Sequence, residues 1–278
     1  MVFLFLMQMS DNISKHTSLV DSDPIGIFDS GIGGLTVLHA ALQEMPFENF
    51  IYYADTEHVP YGQKSKETVR SYILEGASFL ETAGIKTMVV ACNTATSIAV
   101  NELRSNYGFP VIGMEPAVKP AVERSKNKRV LVLATKLTLQ EQKFKDLVAK
   151  VDNEKIVDFI ALPELVELAE KFIFDKEIVV PVLREKFLNL SLETYGTVVL
   201  GCTHFPFFKN SFAELFSSFA DIIDGNKGTI MHLKNVLQSK NIFSKNKRNG
   251  TIDYFNSGIK AKNHGRFKKY LDFLDSLN

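Results

Sequence analysis

Met88-Val89-Val90-Ala91-Cys92-Asn93-Thr94 and Thr197-Val198-Val199-Leu200-Gly201-Cys202-Thr203 are the two stretches whose reading decides the fold. Each runs from an unbroken apolar segment, the pattern of a strand buried on both faces, into a thiol. Side-chain oxygens follow each thiol where a helix can begin. Outward from this pair, Ile25 to Phe28, Phe50 to Ala54, Thr87 to Ala91 and Val111 to Gly113 read as further buried strands. Val130 to Ala134, Ile156 to Ile160, Val198 to Leu200 and Ile222-Ile223 continue the series. Helical periods lie between them: Val69, Tyr72, Ile73, Gly76, Phe79, Leu80 and Ala83 fall on one stripe. Phe144, Leu147, Val148 and Val151 form another. Strands alternating with helices imply parallel sheets wound on both faces, and this many strands imply two sheets. The expected class is therefore α/β, with two similar domains, each a mostly parallel sheet flanked by helices. Ligands of such sheets bind beyond the carboxyl ends of the strands, so the site is expected in the cleft between the domains. The expected division is a flexible extension over 1–23 and a first domain over 24–117, completed by 225–278. The second domain is expected over 118–224.

A chain of 278 residues, 45 % hydrophobic and 23 % charged, is an ordinary globular composition with room for a large core. Its 32 basic and 32 acidic side chains balance, which removes the electrostatic footprint of a general nucleic-acid binder. Lys245-Asn246-Lys247-Arg248 is too short a basic run to restore it and reads as a solvated loop. Two cysteines in a chain this size argue against a disulfide framework and for a reducing, cytoplasmic setting. The apolar start, Met1 to Met7, has no preceding Lys or Arg and is shorter than the ~20 residues of a membrane span. Neither a membrane anchor nor an export signal is expected.

The thiols come first as chemistry. A cysteine just after a strand and at a helix start faces unpaired backbone N–H groups and the positive end of the helix dipole, which favour thiolate. A single such cysteine is more often a small buried hydrophobe. Here both cysteines of the chain occupy the same kind of position, which makes coincidence the weaker account. Asp29-Ser30 follow the first strand and precede Gly31-Ile32-Gly33-Gly34, a loop able to turn tightly and approach a ligand. It lacks the G-x-G-x-x-G spacing, so a dinucleotide role is not supported. Asp29 reads either as a helix cap or as a group that polarises a thiol. His204 reads as a general acid/base, as an anchor for a carboxylate, or as a structural histidine. Cys202-Thr203-His204 offers two ligand types, but nothing supplies the rest of a metal site, so none is expected.

Taken together, the ordered segments resemble glutamate racemase, of the aspartate/glutamate racemase superfamily. They are Phe28 to Val37, Tyr53-Ala54-Asp55, Val59-Pro60-Tyr61-Gly62, Val90 to Ala95, Gly113 to Ala117, Leu133-Ala134-Thr135 and Leu200 to Pro206. The resemblance implies racemisation of L- and D-glutamate with no cofactor, Cys92 and Cys202 being the two acid/base groups. It implies Asp29, His204 and a helix glutamate as assistants, Glu170 aligning better than Glu167. The substrate cradle it implies comprises Asp29, Ser30, Tyr61, Gly62, Asn93, Thr94, Thr203 and His204, with Thr135 and Thr138 towards a carboxylate. It also implies a role in supplying D-glutamate for peptidoglycan synthesis. An activator of the peptidoglycan-precursor class accompanies N-terminal extensions in part of the family, and a monomer or homodimer is expected. Asp224-Gly225-Asn226 departs from the Asp-Ser-Gly that relatives often carry there. Aspartate racemase of the same superfamily is the near alternative. A cysteine hydrolase built on Cys202 and His204 would leave Cys92 without a role. A two-lobed binding protein of periplasmic type would tolerate loss of both thiols.

Overall fold

The computed structural model describes residues 19–125, 128–216 and 218–277. Its chain forms two sheets. The first has the order β10-β9-β2-β1-β3-β4, from β1 (Ile25–Asp29), β2 (Phe50–Ala54), β3 (Thr87–Val90), β4 (Val111–Gly113), β9 (Ile252–Asn256) and β10 (Ile259–Lys260). The second has the order β6-β5-β7-β8, from β5 (Arg129–Ala134), β6 (Val157–Ala161), β7 (Tyr195–Leu200) and β8 (Asp221–Asp224). All ladders are parallel except the β9–β10 hairpin. The expected mixed α/β architecture with two mostly parallel sheets is the one adopted.

The eight expected strands form within a residue or three of their expected ends. β9 and β10 were not foreseen. Ile252-Asp253-Tyr254-Phe255-Asn256 is half polar, yet β9 adds to the first sheet beside β2, pairing Tyr52 with Tyr254. The chain therefore leaves the first sheet after β4, builds the second, and returns to close the first.

Helices cover both sheets. α1 (Leu35–Glu44) follows β1, and α2 (Lys66–Thr82) buries Val69, Ile73, Gly76 and Leu80 of the expected stripe, together with Ala77. Tyr72 and Phe79 are half-buried, and Ala83 is exposed just past its end. α3 (Asn93–Asn106) follows β3 and α4 (Val118–Arg124) follows β4. α4 packs on β5 and β7 of the second sheet. In the second lobe with it come α5 (Lys136–Gln140), α6 (Gln142–Val151), α7 (Pro163–Glu170), α8 (Lys176–Lys186) and α9 (Lys209–Phe216). α10 (Asn226–Ser239) and α11 (Gly265–Ser276) return to pack on α1. One apolar core is continuous from Ile27 and Val89 of the first sheet to Leu131 and Leu200 of the second, by way of Phe205, Phe207 and Phe208. The lobes are thus joined by packed side chains as well as by chain crossings.

Of the expected extension, residues 1–18 lie outside the described residues. Residues 19–23 are tied down: Leu19 packs on the core, and the Asp21 carbonyl accepts from Lys86 Nζ at 2.6 Å. Lys86 itself is fully buried and paired at 2.5 Å with Glu48, whose other oxygen accepts from the Ser244 N–H at 2.7 Å. No helix among the described residues is long and apolar enough to cross a membrane.

Candidate active site

Two neighbouring strands of the first sheet deliver the first half of the site. β1 ends in Asp29, which is wholly buried; its Oδ1 accepts from the Gly31 N–H at 3.0 Å. Desolvation lifts its carboxyl from 3.8 to about 6, against the pull of His204, the Gly31 and Gly34 amides and Thr203. β3 runs into Cys92, which caps α3 and whose Sγ accepts from the Ala95 N–H at 3.5 Å. The helix start was expected to favour thiolate, and here the structure corrects the sequence. Burial pushes the Cys92 thiol up to about 12, the Asp29 charge adds to it, and the Ala95 N–H and Ser30 hydroxyl are outweighed. Cys92 rests as a thiol.

The second lobe delivers the rest. Cys202 lies beyond β7, but only a single 3-10 turn (Phe205–Phe208) separates its loop from α9, so no helix starts at this thiol. Its neighbour is a side chain instead: Cys202 Sγ lies 3.7 Å from His204 Nδ1, and His204 Nε2 lies 2.9 Å from Glu170 Oε1. Burial works against a charged imidazole. The hydrogen bonds and negative partners at Cys202 and Glu170 outweigh it and hold His204 protonated well above its ordinary range. Burial likewise opposes the Glu170 carboxylate, while His204, the Ile32 N–H and Arg266 hold it ionised below its ordinary range. Gly31 permits this crossing between lobes, since a Cβ there would lie 2.0 Å from Glu170 Oε1. The lobes also touch where the Thr203 hydroxyl donates to Asp29 Oδ2 at 3.1 Å.

Both thiols line one cleft of about 450 Å³ of empty space, its mouth included. Ser30, Tyr61, Gly62, Asn93, Thr94, Thr135, Thr203 and His204 line it with them, as expected. Thr94 and Thr135 hydroxyls are 2.9 Å apart and each is within 3.0 Å of Thr138. Asn93 lines the cleft, and its Oδ1 is buried with no hydrogen-bond partner among the described residues. Gly62 sits against the other lobe, its would-be Cβ 2.8 Å from Thr135 Cβ.

Three expectations shift position. Asp29 and Thr138 are wholly buried behind the wall and do not line the cleft; Thr203 and Thr94 stand in front of them. The hydrogen of the Tyr61 hydroxyl is committed to Asp55 Oδ2, to which it donates at 2.6 Å. Of the two helix glutamates, Glu170 meets His204, while Glu167 accepts from Gln63 at the rim at 3.2 Å. Pro60, Gln63, Lys136, Pro163 and Val166 also line the cleft and were not picked out. Lys136 follows the cap residue Thr135 directly and Gln63 follows Gly62, so adjacency to residues already singled out was the available signal. Both cysteines are free, and among the described residues no group of three His, Cys, Asp or Glu could hold a metal ion.

Fold and site define a class: a two-lobed α/β protein that presents one thiol from each lobe to a small polar cleft. The chain belongs to the Asp/Glu/hydantoin racemase family, whose model matches residues 35–233. It is 54 % identical over 253 residues to a glutamate racemase of Halothermothrix orenii, an alignment covering 91 % of this chain and 99 % of that one. Among solved structures it resembles the Francisella tularensis glutamate racemase in complex with D-glutamate, with TM-score 0.78 and 27 % identity over 91 % of this chain and 95 % of that one. It also resembles the Escherichia coli glutamate racemase in complex with L-glutamate and the activator UDP-MurNAc-ala. There the TM-score is 0.76 at 27 % identity, over 91 % and 95 % of the two chains.

Proposed function

We propose that this protein interconverts L- and D-glutamate without a cofactor, Cys92 and Cys202 serving as acid and base on opposite faces of the α-carbon. The observation that carries the reading is the pair of free thiols, one from each lobe, lining a single cleft. Inversion needs a base on one face and an acid on the other, so the two groups must rest in different protonation states. Their surroundings supply an asymmetry: Cys92 is held as a thiol beside Asp29, whereas Cys202 lies 3.7 Å from the ring of a His204 held protonated.

The α-proton of an amino acid is very weakly acidic, so donors already in place must meet the negative charge that develops on the substrate carboxylate. The amides at the start of α3 and the hydroxyls of Ser30, Thr94 and Thr135 stand at the cleft for that purpose. In this scheme Asp29 backs Cys92 and the His204–Glu170 pair backs Cys202, each as a relay one step from the substrate. Family membership supports a cytoplasmic place in supplying D-glutamate for peptidoglycan. The activator-bound relative supports sensitivity to a peptidoglycan precursor.

The test is turnover of L-glutamate and of L-aspartate, each without added cofactor, followed by circular dichroism. Loss of signal to zero with glutamate and little change with aspartate is expected. Preferential turnover of aspartate would replace the substrate, and no turnover of either would refute the reading.

A further inference from the structure

Glu170 is the last residue of α7, and its carboxylate is clamped by groups from three separate elements. Oε1 takes the Ile32 N–H at 2.9 Å from the loop after β1, and His204 Nε2 at 2.9 Å from the loop after β7. Oε2 takes Arg266 Nη2 at 2.9 Å from α11, near the carboxyl end of the chain. The same helix grips the backbone at this point. Tyr270 Oη donates to the carbonyls of Ala169 at 2.7 Å and Glu170 at 3.1 Å.

α7 stops here abruptly. Phe172 adopts φ 59°, with its N–H on the Ala169 carbonyl and the Ile173 N–H on that of Leu168, a closing turn that glycine usually supplies. The left-handed cost is offset by ring packing: Phe172 meets Tyr270 at 4.9 Å and Phe273 at 5.7 Å, both on α11. The last turn of α7 and the last helix of the chain are therefore one packed unit. Arg266 is the side chain through which that unit touches the carboxylate.

We propose that Arg266 is a positioning residue of the site: it fixes the free oxygen of Glu170 so that the other oxygen stays on His204, coupling the C-terminal helix to proton transfer at Cys202. The inference rests on the racemase reading. Arg266 is 48 % exposed and does not line the cleft, so it acts through Glu170 and not on substrate. The charged or titratable groups facing Glu170 are His204 and, beyond it, Cys202 from the β7 side, Tyr52 from β2, and Arg266 and Tyr270 from α11. Asp29 lies across the Thr203 contact on the β1 side. Among these Arg266 is the one permanent cation, and Lys at this position keeps the charge without the planar fork.

The test uses the full chain as wild type, Arg266→Gln and Arg266→Lys, with L- and D-glutamate, each α-protiated or α-deuterated. The expected result for Arg266→Gln is a fall in kcat/KM of about fivefold, the upper range for a half-exposed ion pair. The α-deuterium isotope effect should rise for the enantiomer deprotonated by Cys202 and not for the other. Arg266→Lys should recover part of both changes. A merely structural arginine would lower thermal stability and both enantiomers' rates with no one-sided isotope effect, and that outcome overturns the proposal. Wild-type kinetics in Arg266→Gln also overturns it. An inactive wild type would instead overturn the racemase reading itself, so the two failures are distinguishable.

Discussion

Replacing Glu170 by Gln removes a charge from the site while leaving its shape. Both the Ile32 N–H and His204 Nε2 bond the same oxygen, so a glutamine with its carbonyl in that place keeps both contacts and loses only the match to Arg266. What disappears is the negative partner that outweighs burial at His204. A hydrogen bond to a charged group exceeds a neutral one by roughly 1–1.5 kcal/mol, which converts to about one pH unit. The sign follows from linkage. His204 is raised in the fold, so its stabilisation is complete below the ordinary histidine value near 6.5 and is lost as pH rises through the folded value. The lowered Glu170 adds stability present above its ordinary 4.5, lost as pH falls through the folded value, and the Gln variant lacks it. Glu170→Gln should therefore move the alkaline limb of kcat/KM down by about one unit, with the rate on that limb about tenfold lower at a given pH. The assay is a pH–rate profile by circular dichroism, with melting curves at each pH. An unmoved alkaline limb would refute the relay from Glu170 through His204.

Two further substitutions separate activity from stability. Asp29 is lifted from 3.8 to about 6, so the fold binds its proton more tightly and stability drains away as pH rises between those values. Asp29→Asn should thus stabilise the protein at pH 7–8 by up to roughly 3 kcal/mol while greatly lowering kcat, read by denaturant melts beside turnover. A destabilised Asn variant would show that the Asp29 charge is compensated. Lys86→Met leaves Glu48 charged, buried and without its cation, and should cost about 3–5 kcal/mol in urea unfolding. A cost under 1 kcal/mol would mean that water reaches the pair.

Much of this was legible because buried parallel strands write themselves as continuous apolar runs. Thr87 to Val90 and Tyr195 to Leu200 are buried almost throughout, and the thiols follow at their ends. β9 was not legible for the opposite reason. Its Asp253 and Asn256 dilute the pattern at a strand where the sheet is only partly covered, and its partner β2 lies some two hundred residues earlier. Local spacing also misjudged electrostatics. A helix start beside Cys92 is visible in sequence, but the adjacent buried Asp29 that helps reverse its effect comes from another strand. Tyr61 lines the cleft as expected, but the partner of its hydroxyl was not legible. Asp55, which captures that hydroxyl, is itself held by Ser257 of the late hairpin at 2.8 Å. Arg266 shows the same limit, since only folding brings α11 to the end of α7.

The origin of the hydrogen returned to the α-carbon tests the two-thiol account most directly. Wild-type protein given L-glutamate in D₂O, sampled before one-tenth conversion, should yield D-glutamate carrying deuterium at Cα while the remaining L-glutamate stays protiated. D-glutamate that keeps the original hydrogen, or early deuterium in the unconverted L-glutamate, would mean that one group serves both faces.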